Sequence, residues 1–257
     1  HRAEAARRTL QAARAADFEA LSCDLIFAAP GQTLAQLAAD LDELLAFAPE
    51  HVSAYELNIE IGTPFATAAE RGQLACAGED EALAMWSAIE SRLEAAGYVH
   101  YELSAYARPG FEALHNQRYW RRWPVLGLGV GAFSNDPPGC GGAAPFGLRR
   151  SNLRSPEAYL TRIEAAEPPE AEPAEVLSAE TARSEAMFLS LRTRGGLDAA
   201  AFEQEFGRPP RGFYRDEIAS LVAQALLVED AAGGLRLSGR GRRLSDTVFA
   251  HFVAPCD

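Results

Sequence analysis

Short apolar runs that alternate with amphipathic helices constrain the fold of this chain most strongly. The run at 21–27 is closed by a Pro-Gly pair, which is typical of a strand buried in a parallel sheet. Thr33 and Gln36 then form a capping box for a helix with leucines at helical spacing. The pattern continues with a strand at 51–59, a helix at 79–96 and a strand at 98–103. The sequence therefore predicts an α/β fold of βα units around a parallel sheet or barrel.

The last third of the chain follows a different pattern. Segment 166–176 is rich in Pro, Glu and Ala and predicts a linker. Residues 177–257 then show three helices and a hairpin at a Gly-Gly turn, which is typical of a winged-helix-like α+β domain. We therefore predict a barrel part with its extension at 1–165, a linker, and a C-terminal domain.

A glycine series lies within the first of these parts. Gly127, Gly129 and Gly131 resemble a dinucleotide-binding fingerprint only loosely, since the third glycine comes too early and no helix start follows. Glycines that alternate along a strand instead indicate a close approach of backbone or ligand.

The charge of the chain argues against nucleic acid as a partner. The formal net charge is -12, and all 24 basic residues are arginines. Winged helices often bind DNA, but a phosphate-binding face needs a positive excess. The absence of lysine from the sequence also excludes Schiff-base chemistry and a P-loop within this chain.

The four cysteines do not form a metal motif. Cys23, Cys76, Cys140 and Cys256 are too widely spaced for the groupings that hold zinc or an iron–sulfur cluster. Isolated cysteines without an export signal predict reduced thiols and a cytoplasmic location. No apolar run approaches the ~20 residues of a transmembrane helix.

Polar residues on the predicted strands are candidate ligand contacts. Alternation places Ser22, Asp24 and Ile26 on one face of the first strand, and Asn58 on the face of the second strand that carries Val52. We expect both faces to be buried. A buried carboxylate needs a partner, so Asp24 either forms a structural hydrogen bond or contacts a ligand.

Several motifs together resemble the radical-SAM family of oxygen-independent coproporphyrinogen III oxidases. In order along the chain they are DLIF (24–27), PGQT (30–33), SAYEL (53–57), HNQRYW (115–120) and LGVGAFS (128–134). The SAYEL and HNQRYW motifs are most similar to the haem chaperone (HemW-like) branch. Their order and spacing agree with the family over essentially the whole chain.

The resemblance implies an incomplete radical-SAM barrel with a small C-terminal domain. In the full-length family member, a cysteine loop near the N-terminus holds a 4Fe-4S cluster that binds and cleaves S-adenosylmethionine. The chain resembles the family's C-terminal part and lacks that loop. We therefore expect this chain alone to bind no cluster and to perform no radical chemistry.

The resemblance also assigns four candidate site residues. Asp24, Asn58 and Phe133 match positions that contact S-adenosylmethionine, although the chaperone branch usually has His at the last of these. His115 belongs to a motif linked with haem binding; it could ligate iron or cap a loop. Tyr119 and Trp120 could stack on a porphyrin or pack as core. The neighbouring arginines could pair with propionates or form a solvated face, namely Arg121, Arg122, Arg149 and Arg150.

The resemblance implies a haem chaperone that passes haem to client haemoproteins. The first alternative is a coproporphyrinogen III oxidase of porphyrin biosynthesis. The second is a non-catalytic fragment or a DNA-binding winged helix. The expected partners are haem and haemoproteins and not nucleic acid, and peripheral association with a membrane is left open.

Overall fold

The computed structural model describes residues 3–140 and 144–253. The chain divides into two compact units, one up to Ala113 and one from Leu114 onward. Each unit has its own strands and helices. Within the described ranges, no helix is long and apolar enough to span a membrane.

Over residues 3–113, the first unit contains four strands and four helices. In chain order they are α1 Ala3–Ala15, β1 Ser22–Phe27, α2 Leu34–Ala46, β2 His51–Glu56, α3 Pro64–Glu70, α4 Glu79–Ala95, β3 Val99–Glu102 and β4 Ala105–Ala107. The strands form one sheet in the order β1-β2-β4-β3. β1 and β2 are parallel, with Asp24 opposite Ser53.

Helices α2 and α4 pack with one face of this sheet to form its core. The predicted capping box is confirmed: Gln36 N donates to Thr33 Oγ1 (3.2 Å), and Thr33 N donates to Gln36 Oε1 (2.8 Å). The fully buried residues of the core include Phe27, Leu41 and Ile89. Each such side chain contributes roughly 1.5–3 kcal/mol on burial.

Two expectations for this sheet are wrong. The sheet is not wholly parallel, since an unpredicted strand, β4, lies between β2 and β3 and is antiparallel to both. The face with Asp24 is also not buried: Ser22, Asp24 and Ile26 are exposed, whereas Cys23 and Phe27 are buried. The cause is that α2 and α4 pack against the opposite face of β1.

The second unit contains two smaller sheets and seven α-helices in the described residues. In chain order they are α5 Leu114–Trp120, β5 Phe133–Asp136, β6 Leu148–Asn152, α6 Pro156–Glu164, β7 Glu170–Val176, α7 Ala179–Leu191, α8 Ala199–Phe206, a 3-10 turn at Pro210–Gly212, α9 Arg215–Ala223, β8 Leu227–Glu229, β9 Leu235–Leu237, α10 Gly239–Arg243 and α11 Ser245–Ala250. Strands β5, β6 and β7 form an antiparallel sheet in that order.

Segment 166–176, predicted as a linker, contains strand β7. Two of its charged residues pair with β6: Glu175 with Arg149, and Glu170 with Arg150. Pro173 is tolerated because β7 is an edge strand and its register with β6 shifts near this point. The segment is therefore part of a sheet, while the domain limits at 165 and 177 stay a prediction.

The C-terminal elements have the predicted winged-helix order. Helices α7, α8 and α9 precede the antiparallel hairpin β8–β9. An isolated bridge between Leu197 and Leu235 ties the hairpin to the start of α8. The glycines at 127–131 do not lie on a strand as predicted but form a loop before β5. Cys256 lies outside the described residues.

Candidate functional site

The face of the first sheet opposite α2 and α4 carries a chain of hydrogen bonds centred on His51. Its Nδ1 lies 2.8 Å from Ser22 Oγ, and its Nε2 lies 2.8 Å from Tyr101 Oη. The backbone N–H of Ala113 donates to the same tyrosine oxygen at 3.2 Å. The oxygen of Tyr101 accepts from Ala113, and its hydroxyl hydrogen can point towards His51 Nε2. In the tautomer that matches this arrangement, Nδ1 carries the proton of the neutral imidazole and donates to Ser22 Oγ.

This chain of hydrogen bonds links the starts of β1 and β2 to Tyr101 of β3. Ser22 and His51 are the first residues of the two parallel strands. Ligands in folds of this kind lie at the opposite, carboxyl ends of the strands. Burial raises the pKa of Tyr101 to about 12, so the phenol stays protonated at neutral pH.

The titration of His51 should make the protein sensitive to acid. Burial holds the pKa of His51 below its ordinary value of 6.5, and the charge of Asp24 opposes that shift. Protons therefore bind the unfolded chain more readily, and stability is lost as the pH falls from 6.5 towards the folded-state pKa. We expect His51→Gln to reduce the loss of unfolding free energy between about pH 7 and about pH 5.

Urea titrations at a series of pH values measure this loss. The same substitution at the exposed His251 is the control and should leave the pH dependence unchanged. A His51→Gln variant with the same pH dependence as the unsubstituted protein would rule out this role for His51.

Two of the predicted cofactor contacts lie in the first unit. Asp24 is exposed in the middle of β1, and it lines a cavity of about 480 Å³ between α1, β1 and α2. An ion pair between Arg7 and Glu43 also lines this cavity. Asn58 is exposed two residues after β2. Both side chains are accessible to solvent.

The second unit contains a cavity with aromatic walls. Its volume is about 430 Å³, within the range of roughly 300–1,000 Å³ typical of small-molecule sites. The apolar side chains that line it are Tyr119, Trp120, Trp123, Val125, Phe133, Phe188 and Leu189. The polar ones are Arg122, Ser134, Asn135, Arg149 and Glu185. Phe133 and the two aromatic residues of the HNQRYW motif therefore meet in one place.

The end of α5 brings three aromatic residues to this cavity. Arg122 adopts a left-handed conformation, with φ 53°. Its N–H donates to Tyr119 O (3.0 Å), and the N–H of Trp123 donates to Arg118 O (2.8 Å). These two bonds form a Schellman motif, which reverses the chain so that Trp123 lines the same cavity as Tyr119.

His115 is placed one turn earlier on α5 and does not line the cavity. It is exposed, and its ring contacts Tyr119 edge-on with centroids 5.0 Å apart. The four-residue spacing puts both side chains on one face of the helix. The structure therefore relates His115 to the cavity only through Tyr119.

Asn152 fixes the glycine loop that leads to Phe133. Its Nδ2 donates to Gly127 O (3.1 Å) and to Gly129 O (2.8 Å). Gly127 N in turn donates to Ser134 Oγ (3.0 Å). A Cβ at Gly127 would lie 2.4 Å from Phe133 O, so only glycine fits at this crossing. The close approach predicted for the glycine series is therefore made by backbone.

The predicted arginine face is held by ion pairs. Arg149 bonds to Glu175 (3.2 Å) and makes a close contact with Glu185. Arg150 pairs with Asp136 (2.9 Å) and with Glu170. Arg149 lines the cavity, and Arg150 is absent from its lining. Alternation along β6 explains why two adjacent arginines differ in this way.

Comparisons with known proteins agree with the motifs and the fold. A family model, described as the HemN C-terminal domain, matches residues 177–244. The chain is 34% identical to "Heme chaperone HemW" of Lactococcus lactis over 93% of its own length and 59% of that protein. It is 30% identical to the protein of the same name from Bacillus subtilis over 95% of its own length and 62% of that protein.

Residues 177–244 thus match the HemN C-terminal domain, and nearly the whole chain is similar to proteins named heme chaperone HemW.

A solved structure extends the agreement to three dimensions. Coproporphyrinogen III oxidase (HemN) from Escherichia coli, described as a radical SAM enzyme, matches 95% of this chain and 57% of its own with a TM-score of 0.71. The sequence identity is 20%, so this likeness concerns the fold. The α/β fold class predicted from the sequence is confirmed. The chain spans about three fifths of the length of its HemW relatives.

The iron–sulfur cluster of the family does not fit the side chains that the structure describes. Residues 3–140 and 144–253 contain no group of three or more His, Cys, Asp or Glu side chains able to hold a metal ion. Cys23 is buried, and burial raises the pKa of its thiol, whereas Cys76 and Cys140 are exposed.

Sequence reasoning missed one wall of the cavity. Glu185, Phe188 and Leu189 come from α7, within the matched C-terminal domain. Their sequence pattern predicts only a packed amphipathic helix, and nothing in it distinguishes a residue that lines a cavity. Trp123 was missed because the turn at Arg122 lacks the glycine that usually marks a Schellman motif.

Proposed function

We propose that this protein binds haem and passes it to haemoproteins, as a haem chaperone of the HemW type. The observation that carries the proposal is the aromatic cavity formed around the HNQRYW motif. A porphyrin is a large, planar, apolar ring with carboxylate side chains. Aromatic rings offer such a ring extensive contact area, and arginines at the edge offer partners for its carboxylates.

His115 is the proposed iron ligand. A neutral imidazole is a good ligand for haem iron, and the exposed ring of His115 is accessible from solvent. Its edge-on contact with Tyr119 limits the orientations of the ring. The relatives named heme chaperone support this role for the motif, because the match to them includes it.

The cofactor contacts belong to the full-length protein. There, Asp24 and Asn58 would contact S-adenosylmethionine, whereas Phe133, which the resemblance also matched to that cofactor, lines the aromatic cavity. The cluster would be held by residues other than those described. Asp24 suits this role because an exposed carboxylate can accept hydrogen bonds from ribose hydroxyls. We propose a cytoplasmic location with haem and client haemoproteins as partners, and no role in binding nucleic acid.

Titration of the purified chain with hemin, followed by absorbance, tests haem binding. We expect a saturable complex, and we expect His115→Ala to change the Soret band and to weaken binding roughly tenfold or more. His251→Ala is the matched control, since His251 is also exposed and lies on α11's C-terminal end. Hemin binding that does not saturate would overturn the proposed function.

A second assay separates chaperone from oxidase. The full-length protein, with its cluster reconstituted, is incubated with coproporphyrinogen III, S-adenosylmethionine and a reductant. We expect haem transfer to an apo-haemoprotein and no decarboxylated product. Release of decarboxylated porphyrinogen would show that the protein is an oxidase.

A further inference from the structure

We propose that the aromatic cavity of the second unit is the porphyrin-binding pocket and that the C-terminal domain supplies one of its walls. This inference rests on the proposed function and adds the location of the ligand. It assigns binding roles to Phe188 and Leu189 of α7 and to Arg149 of β6. None of these residues lies in the HNQRYW motif.

The walls of the cavity suit a planar ring. Phe133, Phe188 and Trp120 come from three different elements and line one space of about 430 Å³. Rings from separate elements can enclose a flat ligand, and aromatic stacking contributes beyond the area buried. The guanidinium of Arg192 lies 4.4 Å from the ring centroid of Trp120, and this cation–π contact helps to hold the indole in place.

The charges of the cavity suit a ligand with carboxylates. Arg122 and Arg149 line it, against one acidic residue, Glu185. The guanidinium of Arg149 is bound by Glu175 and Glu185, yet its five N–H donors leave capacity for a further acceptor. Arg122 is held by Glu205 at 2.9 Å. A carboxylate that enters the cavity therefore meets arginines whose positions are already fixed.

A bulky residue in the cavity tests its role directly. Leu189→Trp fills the space from α7 and should weaken hemin binding by tenfold or more. Leu160→Trp makes the same change on α6, where the side chain is 54% exposed and lies outside the lining. We expect the control to bind hemin like the unsubstituted chain. Melting curves of both variants check that each is folded.

Two adjacent arginines provide the second test. Arg149→Gln should weaken hemin binding roughly tenfold, since it removes a charge-assisted contact, whereas Arg150→Gln should not. Each substitution leaves two acidic residues without their arginine partner, so general destabilisation would affect both variants. Hemin dimethyl ester lacks free carboxylates and should bind Arg149→Gln and the unsubstituted chain equally.

The outcomes separate this inference from the proposed function. If the unsubstituted chain binds hemin but Leu189→Trp and Arg149→Gln bind it equally well, haem binding stands and the pocket assignment is overturned. If the unsubstituted chain binds no hemin, the proposed function itself fails. Weaker binding by Leu189→Trp and Arg149→Gln, with both controls unchanged, supports the pocket.

Discussion

Alanine in place of Gly196 is expected to lower the free energy of unfolding of the second unit by roughly 2–5 kcal/mol. Gly196 has φ 72°, a conformation that costs a residue with a Cβ atom about 1–2 kcal/mol. The added Cβ would also lie 2.1 Å from the backbone oxygen of Leu235. That oxygen accepts a hydrogen bond of 2.7 Å from the N–H of Leu197. The substitution therefore separates Leu197 from Leu235 and breaks the bridge that connects the hairpin to the start of α8.

Gly195 is a matched control in the same turn. A Cβ there would meet only Thr193 Oγ1, at an ordinary 3.9 Å, and its φ is not left-handed. We therefore expect Gly195→Ala to change stability by no more than about 0.5 kcal/mol. Urea unfolding followed by circular dichroism measures both variants. Equal midpoints for the two variants would show that the close approach at Leu235 does not constrain the fold.

The positions of the main elements could be predicted from the sequence because period and capping are local properties. The strand predicted at 21–27 is observed at Ser22–Phe27, and the helix predicted at 79–96 is Glu79–Ala95. Strand direction could not be predicted, since an alternating pattern reads the same in either direction. β4 has only three residues and gives no signal of its own, so the antiparallel strand between β2 and β3 was missed.

The exposure of Asp24 could not be predicted for a related reason. Alternation identifies the residues that share a face of a strand, but not which face the helices cover. Asp24 shares its face with Ser22, whose partner His51 begins β2. Residues predicted to face a barrel interior are therefore accessible in this chain.

The aromatic cavity was only partly predictable because its walls are distant in sequence. The motif at 115–120 drew attention to Tyr119 and Trp120, and the resemblance to Phe133. Their meeting with Phe188 depends on how α5 packs against α7. Only tertiary structure brings these residues together, so sequence motifs identify one side of the candidate site.

Aspartate in place of Asn152 is expected to disrupt the glycine loop with little change in side-chain shape. Asn152 is only 5% exposed, and its amide donates to two carbonyl oxygens. A carboxylate would place a negative oxygen against those carbonyls at about 2.8–3.1 Å. Losing both donors and burying a charge should cost roughly 2–5 kcal/mol of unfolding free energy at neutral pH.

The pH dependence of this variant distinguishes repulsion from simple loss of packing. Burial and the facing carbonyls would raise the pKa of the introduced carboxyl above its unfolded value. The folded variant would then hold its proton more tightly, and its deficit in stability should shrink as the pH falls towards about 4. Asn135→Asp is the control, because its amide makes one long bond of 3.4 Å to Trp123 O at an exposed position. A deficit for Asn152→Asp that stays constant with pH would mean that the two carbonyl contacts do not hold the loop.

Hemin binding should follow the same trend, since the loop leads directly into Phe133. If the loop positions this residue, Asn152→Asp should bind hemin more weakly near pH 7 than near pH 5, relative to the unsubstituted chain at each pH. The comparison must be relative, because histidine ligands also titrate in this range. A variant that is destabilised yet binds hemin normally would show that Phe133 keeps its place without the loop. The two measurements thus separate a role of Asn152 in folding from a role in positioning the wall of the cavity.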